Sequence, residues 1–297
     1  MSDFPIRVLS EQTGVPATTL RAWERRYGLL KPKRTPKGHR LYNENDVDTV
    51  RQVVTLLEDD YTISKAINAI RLGEARESPV ESTPSHWIGI RKRFSRAIET
   101  FDENLLDTAY NEALSLYPID IVTINLIRPL LKQMGEEWQQ RPTGIAEEHF
   151  FTAYLRNKIG ARMHHAAGRS QGKRLLVACL PGEHHELGVL LFVLSAMTRG
   201  YRILYFGADL PVEQVKRVAG TIDIQGVLLS GSTLNFTDDI HNEVVSLADS
   251  LDIPVMLGGS VSDNVQAYYE DSKVLLLSSD YATALGRMEM LIPAYGV

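Results

Sequence analysis

The stretch LLVACLPGEHHELG, residues 175–188, joins an apolar run to a polar loop that leads into a second apolar run. Residues 175–180 have the length and composition of a buried strand, and Val189 to Met197 have those of a buried helix. The polar residues between them are therefore predicted to form a strand-to-helix loop. Open α/β sheets bind their ligands at such loops, beyond the carboxyl ends of the strands.

Glu183 and His185 are the candidate functional pair of this loop. An imidazole with a carboxylate two residues before it can bind a metal while the acid holds its second nitrogen, which fixes the tautomer and raises basicity. Gly188 would let a large ligand approach the first turn of the helix. The same residues are also compatible with an ordinary polar loop, and the two interpretations stay open at this point.

From Lys173 onward the sequence alternates between strand-like and helix-like segments, which predicts a doubly wound, Rossmann-like parallel sheet over residues 171–297. No Gly-x-Gly-x-x-Gly follows the first strand, which argues against a dinucleotide site. The predicted strands are Leu175–Leu180, Arg202–Phe206, Gly226–Leu229, Pro254–Leu257 and Val274–Leu277. The loops after them lie on one edge of the sheet and contain four further candidates for a ligand site: Ser230, Ser232, Gly258 and Gly259.

Residues 86–170 have a helical apolar pattern throughout, which predicts a four-helix bundle. Within this segment Trp138 is followed, after nine residues, by Glu148 and His149. On its own, the tryptophan is most simply a core or interface aromatic, and the Glu-His pair is most simply part of a helix surface. Residues 74–85 before the bundle have the Glu-, Pro- and Ser-rich composition of a linker.

The N-terminal segment differs from the rest of the chain in charge. Between Pro16 and Tyr42 there are eight Lys or Arg residues and one acid, although the whole chain has a net charge of −5. A basic segment on an acidic body is typical of a nucleic-acid contact, and it is also compatible with a solvated surface. Ile6 to Thr13 and the segment after Gly14 predict a helix-turn-helix, and residues 31–42 predict a β-hairpin wing.

The second predicted helix has an apolar and a polar face. Leu20, Trp23 and Tyr27 recur at spacings of three and four residues and can face the core. The polar residues of the helix and the wing can then meet a major groove and its phosphates, with an affinity that depends on salt. The candidate DNA contacts are Thr18, Thr19, Arg21, Arg25, Arg26, Lys37, His39, Arg40 and Tyr42.

Length and composition set the outer limits of the fold. With 297 residues, of which 44% are apolar, the chain has room for two or three domains. No apolar run approaches the roughly 20 residues of a membrane helix and the start has no signal sequence, so we expect a cytoplasmic protein without a membrane partner. A single cysteine, Cys179, excludes an intramolecular disulfide and a cysteine metal cluster. The predicted architecture is multidomain α and α/β: a winged helix-turn-helix at 1–73, a linker at 74–85, a four-helix bundle at 86–170 and the sheet domain at 171–297.

The segments TLRAWERRYGLL, residues 19–30, and GHRLY, residues 38–42, resemble the winged DNA-binding domain of MerR-family transcription regulators. The resemblance covers about residues 4–72. It implies a homo-oligomer, at least a dimer, on a palindromic promoter operator of double-stranded DNA. The implied contacts are Arg21, Arg25, Arg26 and Arg40.

Residues 183–188 fit the Asp/Glu-x-His-x-x-Gly signature, and so resemble the base-off, His-on cobalamin-binding domains, as in methionine synthase. The resemblance implies that His185 binds cobalt from below and that Glu183 holds the other imidazole nitrogen. It also implies that a serine hydrogen-bonds the dimethylbenzimidazole and that two glycines admit the nucleotide tail. Both serines fit the pattern, so the candidates are Ser230 or Ser232, together with Gly258 and Gly259.

The spacing of Trp138, Glu148 and His149 is similar to the Trp-x9-Glu-His motif of light-sensing MerR regulators that bind adenosylcobalamin, the CarH and LitR group. The resemblance implies that Trp138 packs beside the adenosyl group above the corrin and that the other two residues belong to the same upper pocket. It further implies a repressor that is tetrameric on DNA in the dark and comes apart when light breaks the cobalt–carbon bond. The best-known sensor of the group has a histidine after the motif tryptophan, which binds cobalt after photolysis. Gln139 stands there in this chain, and a carboxamide is a poor cobalt ligand.

Two other functions are compatible with parts of the sequence. One is a MerR-like regulator without a photoswitch, whose C-terminal domain senses cobalamin alone or serves as a platform for a protein partner; biofilm and curli regulators of similar architecture are of the latter kind. The other is a corrinoid methyl carrier. The DNA-binding segment argues against the carrier, and the complete set of motif residues argues against a lost light sensor. We expect no enzymatic activity, because the cofactor carries the chemistry.

Overall fold

The computed structural model describes residues 3–59, 61–72, 85–137, 141–168, 170–232 and 236–294. The chain divides into two compact units, Met1–Tyr154 and Leu155–Val297. None of the helices in the described ranges is long and apolar enough to cross a membrane. The predicted linker falls outside the described residues except for its last residue, which begins a helix.

The first unit opens with the predicted winged helix-turn-helix. The turn forms because Gly14 takes a left-handed conformation, with φ 70°, directly after the first helix. Asn43 and Asp46 form a capping box at the start of the third helix. The wing is an antiparallel pair in which Lys33 lies opposite Leu41. The elements are α1 Ile6–Thr13, α2 Ala17–Tyr27, β1 Lys33–Arg34, β2 Arg40–Leu41, α3 Glu44–Glu58 and α4 Ile63–Leu72.

Four helical segments follow, as the apolar pattern predicts. Edge-to-face ring pairs hold these segments together: Phe94 of the first segment pairs with Phe151 of the last, and Tyr110 of the second pairs with Tyr154 of the last. The segments are α5 Ser85–Glu99, α6 Glu103–Leu116, then α7 Ile119–Val122 continuing through a π-helical turn at Thr123–Ile127 into α8 Arg128–Glu137, and finally α9 Gly144–Ala167. The boundary between the two compact units falls within α9.

The apolar pattern does not predict the π-helical turn. Pro129 has no backbone N–H, so it cannot donate to the carbonyl of Asn125 four residues earlier. The guanidinium of Arg91 donates to that carbonyl instead, over 3.0 Å. A widened turn next to a proline lets the helical segment continue without a break.

The second unit contains the predicted parallel sheet. Its strands are β3 Arg174–Cys179, β4 Arg202–Tyr205, β5 Gly226–Ser230, β6 Val255–Gly258 and β7 Val274–Leu276. The order across the sheet is β4-β3-β5-β6-β7, and every neighbouring pair is parallel. The chain reverses its direction of winding between β3 and β5, and ligands bind open α/β sheets at such a switch point.

The apolar pattern predicts helices near residues 189–197, 212–218, 238–247, 262–269 and 281–291, and the structure confirms all of them except the fourth. The observed helices are α10 Leu187–Thr198, α11 Val212–Ala219, α12 Asp238–Ser250, α13 Val261–Asn264 and α14 Tyr281–Leu291. The pattern predicts one helix over residues 262–269, and the structure has α13 followed by a separate 3₁₀ turn, Gln266–Tyr268. The break lies at Val265, whose φ of −113° leaves the helical region and whose side chain is buried in the core.

Candidate functional site

The loop after β3 has a defined backbone path. Gly182 has φ 75°, a left-handed conformation that suits glycine. Its N–H donates to the carboxylate of Asp209 over 2.7 Å, and the N–H of Asp209 donates to the carbonyl of Glu183 over 3.1 Å. These two hydrogen bonds attach the loop, at Gly182 and Glu183, to the segment after β4.

Glu183 is the buried centre of this loop, with only 4% of its side chain exposed. Its Oε1 accepts hydrogen bonds from the backbone N–H of His185 over 2.7 Å and from the ring Nδ1 of His185 over 2.9 Å. Its Oε2 accepts from the backbone N–H of Ser232 over 2.7 Å. Burial alone would raise the pKa of Glu183, but the hydrogen bonds from Ser232 and His185 outweigh burial and hold the pKa below its ordinary value. The group is therefore a carboxylate at neutral pH.

The ring of His185 is 87% exposed. Because a carboxylate only accepts hydrogen bonds, Nδ1 of the neutral ring carries the proton and Nε2 keeps its lone pair. An imidazole oriented by a carboxylate behind it is the arrangement of many metal-binding histidines. The structure therefore brings the predicted pair together in a geometry that suits ligation through Nε2.

Ser230 is the last residue of β5 and Ser232 lies in the loop after it, next to the His185 loop, because β3 and β5 are neighbours in the sheet. The backbone N–H of Ser232 donates to the buried carboxylate of Glu183. The fold thus brings the segment after β5 to the His185 loop, and both serines remain candidates for a ligand contact.

The three predicted glycines have different surroundings. Gly259 has φ 85°, and a Cβ there would lie 2.4 Å from the carbonyl oxygen of Gly231, so the protein itself requires glycine. A Cβ at Gly258 would lie 3.3 Å from the side chain of Leu228, which is also close. At Gly188, in the first turn of α10, an added Cβ would meet nothing within 4 Å. The open space beside the His185 loop is therefore at Gly188.

The donor set of this site is a single imidazole. Within the described ranges, no group of three or more His, Cys, Asp or Glu side chains is placed to hold a metal ion. Burial raises the pKa of the Cys179 thiol to about 11, so the thiol is protonated and a poor ligand. One histidine held by a carboxylate fits a metal whose other bonds come from a macrocycle, such as the cobalt of a corrin. It does not fit a metal held by protein ligands alone.

Of the predicted motif Trp138, Glu148 and His149, the structure describes the last two residues. Glu148 and His149 are neighbours on α9, and their side chains are 41% and 77% exposed. Ile145, one turn earlier on the same helix, is 57% exposed. Trp138 and Gln139 lie outside the described residues.

Helix α2 and the wing present an exposed basic surface. One stripe of α2 and the tip of the wing carry polar or charged side chains that are open to solvent, and their positive charge suits the phosphates of a duplex. These exposed candidates are Thr18, Arg21, Arg25, Arg26, Lys37 and His39.

The structure corrects two of the predicted DNA contacts. Thr19 is 1% exposed, and its hydroxyl donates to the carbonyl of Leu114 over 3.5 Å. Tyr42 is fully buried, and its hydroxyl donates to the carboxylate of Glu24 over 3.3 Å. Both side chains face the protein, because α2 packs on α6 on one side and against the wing on the other.

Two contacts fix α2 relative to its neighbours. The Nε of Arg40 lies 3.0 Å from each carboxylate oxygen of Glu24, which braces the wing against the helix. The indole Nε1 of Trp23 donates over 2.7 Å to the carbonyl of Leu116, the last residue of α6 and one without a partner in its own helix. Helix α2 of the DNA-binding domain is thus hydrogen-bonded to α6.

Two family models match separate parts of the chain. Residues 4–72 match the MerR HTH family regulatory proteins. Residues 90–162 match the B12 binding domain. The chain therefore contains a MerR-type helix-turn-helix followed by a B12 binding domain.

Relatives over most of the chain are transcriptional repressors. The chain is 29% identical to the HTH-type transcriptional repressor CarH of Myxococcus xanthus over 276 residues, which cover 90% of this chain and 92% of the relative. It is 26% identical to the HTH-type transcriptional repressor CarA of the same organism, with 86% and 85% covered. The monomethylamine corrinoid protein of Methanosarcina barkeri has a TM-score of 0.51 at 19% identity, covering 68% of this chain and 98% of that protein. This last likeness concerns the fold alone, and it agrees with the predicted Rossmann-like sheet.

Proposed function

We propose that this protein is a cobalamin-responsive transcriptional repressor in which His185 is the lower axial ligand of cobalt. The observation that carries the proposal is the exposed His185 ring at the switch point of the sheet, held at Nδ1 by the buried carboxylate of Glu183. The exposed cations of α2 supply the contact with double-stranded DNA. The two repressors that are similar over most of the chain support this combination of activities.

Residues of the His185 loop and of the segment at the end of β5 have different roles in holding the cofactor. Glu183 accepts the Nδ1–H of His185, which leaves the lone pair of the neutral ring on Nε2 and makes that nitrogen more basic, and this strengthens its bond to a metal. Ser230 or Ser232 would offer a hydroxyl to the nucleotide tail of the cofactor. Gly188 leaves room beside the first turn of α10.

We further propose that the cofactor is adenosylcobalamin and that light controls the protein. The cofactor supplies a light-labile bond between cobalt and its upper adenosyl group, and Glu148 and His149 are the proposed contacts for that group. The DNA-bound homo-oligomer, a dimer or tetramer, is stabilised only if it binds the intact cofactor more tightly than the photolysed one. Light then weakens both the assembly and its hold on a palindromic operator.

The test is to load the full-length protein with adenosylcobalamin in darkness and to follow it before and after green light. The readouts are the absorption spectrum, the gel-filtration volume and the binding of duplex DNA selected from a random pool. We expect a bound corrinoid in the dark, and a later elution volume and weaker DNA binding after illumination. A protein without bound corrinoid would contradict the proposal. A bound corrinoid without any response to light would instead support the alternative, a cobalamin sensor without a photoswitch.

A further inference from the structure

Glu186 forms a second hydrogen-bonded link in the His185 loop, separate from that of Glu183. Its side chain is 17% exposed, and its Oε1 lies 2.9 Å from the Nε of Arg156 on α9. The hydroxyl of Tyr205, at the end of β4, donates to Oε2 over 2.8 Å. All of these residues lie in the second unit, so one carboxylate ties the loop to both a helix and a strand.

Local helix energetics do not explain this glutamate. Glu186 is the N-cap residue of α10, yet its side chain makes no capping hydrogen bond, and glutamate is not a preferred N-cap residue. Tyr205 is a permanent donor, because burial and the hydrogen bond to Glu186 raise its pKa far above neutrality. Arg156 is 59% exposed, so its ion pair contributes little by itself. The bond from Tyr205 is partly buried and is therefore the stronger half of the link.

We infer that Glu186 is a positioning residue for His185, and this inference rests on the proposed function. The His185 ring is 87% exposed, so packing does not fix its place. Glu183 orients the ring, but the path of the chain directly after the ring is held by Glu186 through Tyr205 and Arg156. Because Arg156 lies in the segment that matches the B12 binding domain, the link also connects that helix to the loop of the lower ligand.

Two variants break the link, and a third serves as a control. Glu186→Gln removes the charge of the carboxylate, and Tyr205→Phe removes the hydroxyl that donates to it. Glu213→Gln is the control, because Glu213 forms an exposed ion pair with Arg217 in the same unit, at 3.1 Å. Each full-length variant is loaded with cob(II)alamin, prepared by reducing hydroxocobalamin, and electron paramagnetic resonance with isotope-labelled histidine counts the fraction of cobalt bound to histidine. We expect a lower histidine-bound fraction and about 10-fold weaker cob(II)alamin binding in the first two variants, and no change in the control.

A second readout does not need the cofactor. Amide hydrogen exchange of residues 181–188 in the cofactor-free protein reports on the loop alone. We expect exchange to be faster by on the order of 10-fold in Glu186→Gln and Tyr205→Phe, the ratio for the loss of one partly buried hydrogen bond. The control should exchange at the wild-type rate.

The outcomes separate this inference from the proposed function. If the wild-type protein binds no cob(II)alamin, the proposed function fails. If, in addition, amide hydrogen exchange of residues 181–188 is the same in the variants and the wild type, the positioning role of Glu186 is overturned as well. If the wild type binds cobalt through histidine and both variants equal the control in both readouts, Glu186 does not position His185. If thermal unfolding shows that Glu186→Gln does not fold, the comparison of Tyr205→Phe with the control decides whether Glu186 positions His185.

Discussion

At the scale of single residues, one buried carboxylate organises the candidate site. Glu183 accepts hydrogen bonds from two loops, through the backbone and ring of His185 and through the backbone of Ser232. A buried carboxylate is stable as an anion only while such donors stay in place. The orientation of the His185 ring thus depends on charge-assisted hydrogen bonds, since the ring itself is exposed.

We predict that Glu183→Gln lowers the free energy of unfolding of the cofactor-free protein by about 2 kcal/mol at neutral pH, because an amide cannot accept all three bonds with the strength of a carboxylate. The pKa of Glu183 is lowered in the folded state. Its stabilisation is therefore fully present above the ordinary glutamate pKa of about 4.3 and is lost as the pH falls through the lower folded-state value. Denaturant unfolding at neutral and acid pH should show the two proteins converging at acid pH. Equal stabilities at neutral pH would contradict the prediction.

The Glu183 and His185 contact is predictable from sequence because it spans two residues. The contacts that complete the site are not local. The Tyr205 bond to Glu186 spans 19 positions and the Ser232 bond to Glu183 spans 49, and both depend on the order of strands in the sheet. Glu186 stands in the same short motif, but the motif contains no signal for its partners.

At the scale of single elements, helix α2 has one face exposed with the candidate DNA contacts and another face packed on α6. The amphipathic spacing predicts that Leu20, Trp23 and Tyr27 face the core. Leu20 and Trp23 are buried as predicted, whereas Tyr27, the last residue of the helix, is only partly buried. The spacing cannot show that Thr19 joins the buried residues, because Thr19 is polar and is covered by α6 rather than by its own small domain. A helix that packs on two layers buries more of its circumference than its own apolar residues indicate.

We predict that Arg25→Ala weakens binding to duplex DNA and reduces the slope of log K against log salt by about 1, because one phosphate contact is lost. Arg7→Ala is the matched control, since Arg7 is an exposed cation on α1 that pairs with Glu11. Fluorescence anisotropy over a salt series measures both quantities. If Arg25→Ala keeps the wild-type affinity and slope, Arg25 is not part of the DNA surface.

We predict that Trp23→Phe lowers the free energy of unfolding by about 1–3 kcal/mol, because the carbonyl of Leu116 loses its donor. Thr18→Val, at an exposed position of the same helix, should change it by less than about 0.5 kcal/mol. Denaturant titration followed by circular dichroism compares the variants. Wild-type stability in Trp23→Phe would mean that the hydrogen bond between α2 and α6 does not stabilise the fold.

At the scale of the whole molecule, the sequence predicts the order of a winged helix, helical segments and a parallel sheet, because the spacing of apolar residues changes along the chain. The arrangement of strands within the sheet does not follow from any period. Pairing of β3 with β5 places the Ser232 loop against the His185 loop, and this pairing is set by long-range packing. The sequence therefore predicts the candidate residues, and only the fold shows which of them share one site.

The most direct measurement compares His185→Ala with His184→Ala, two adjacent and exposed histidines in one loop. Each full-length variant is titrated with adenosylcobalamin in darkness, and the absorption spectrum and dissociation constant are recorded. Our account predicts that His185→Ala loses the histidine-ligated spectrum and binds at least about 10-fold more weakly, whereas His184→Ala behaves as the wild type. A His185→Ala protein with the wild-type spectrum and affinity would contradict it.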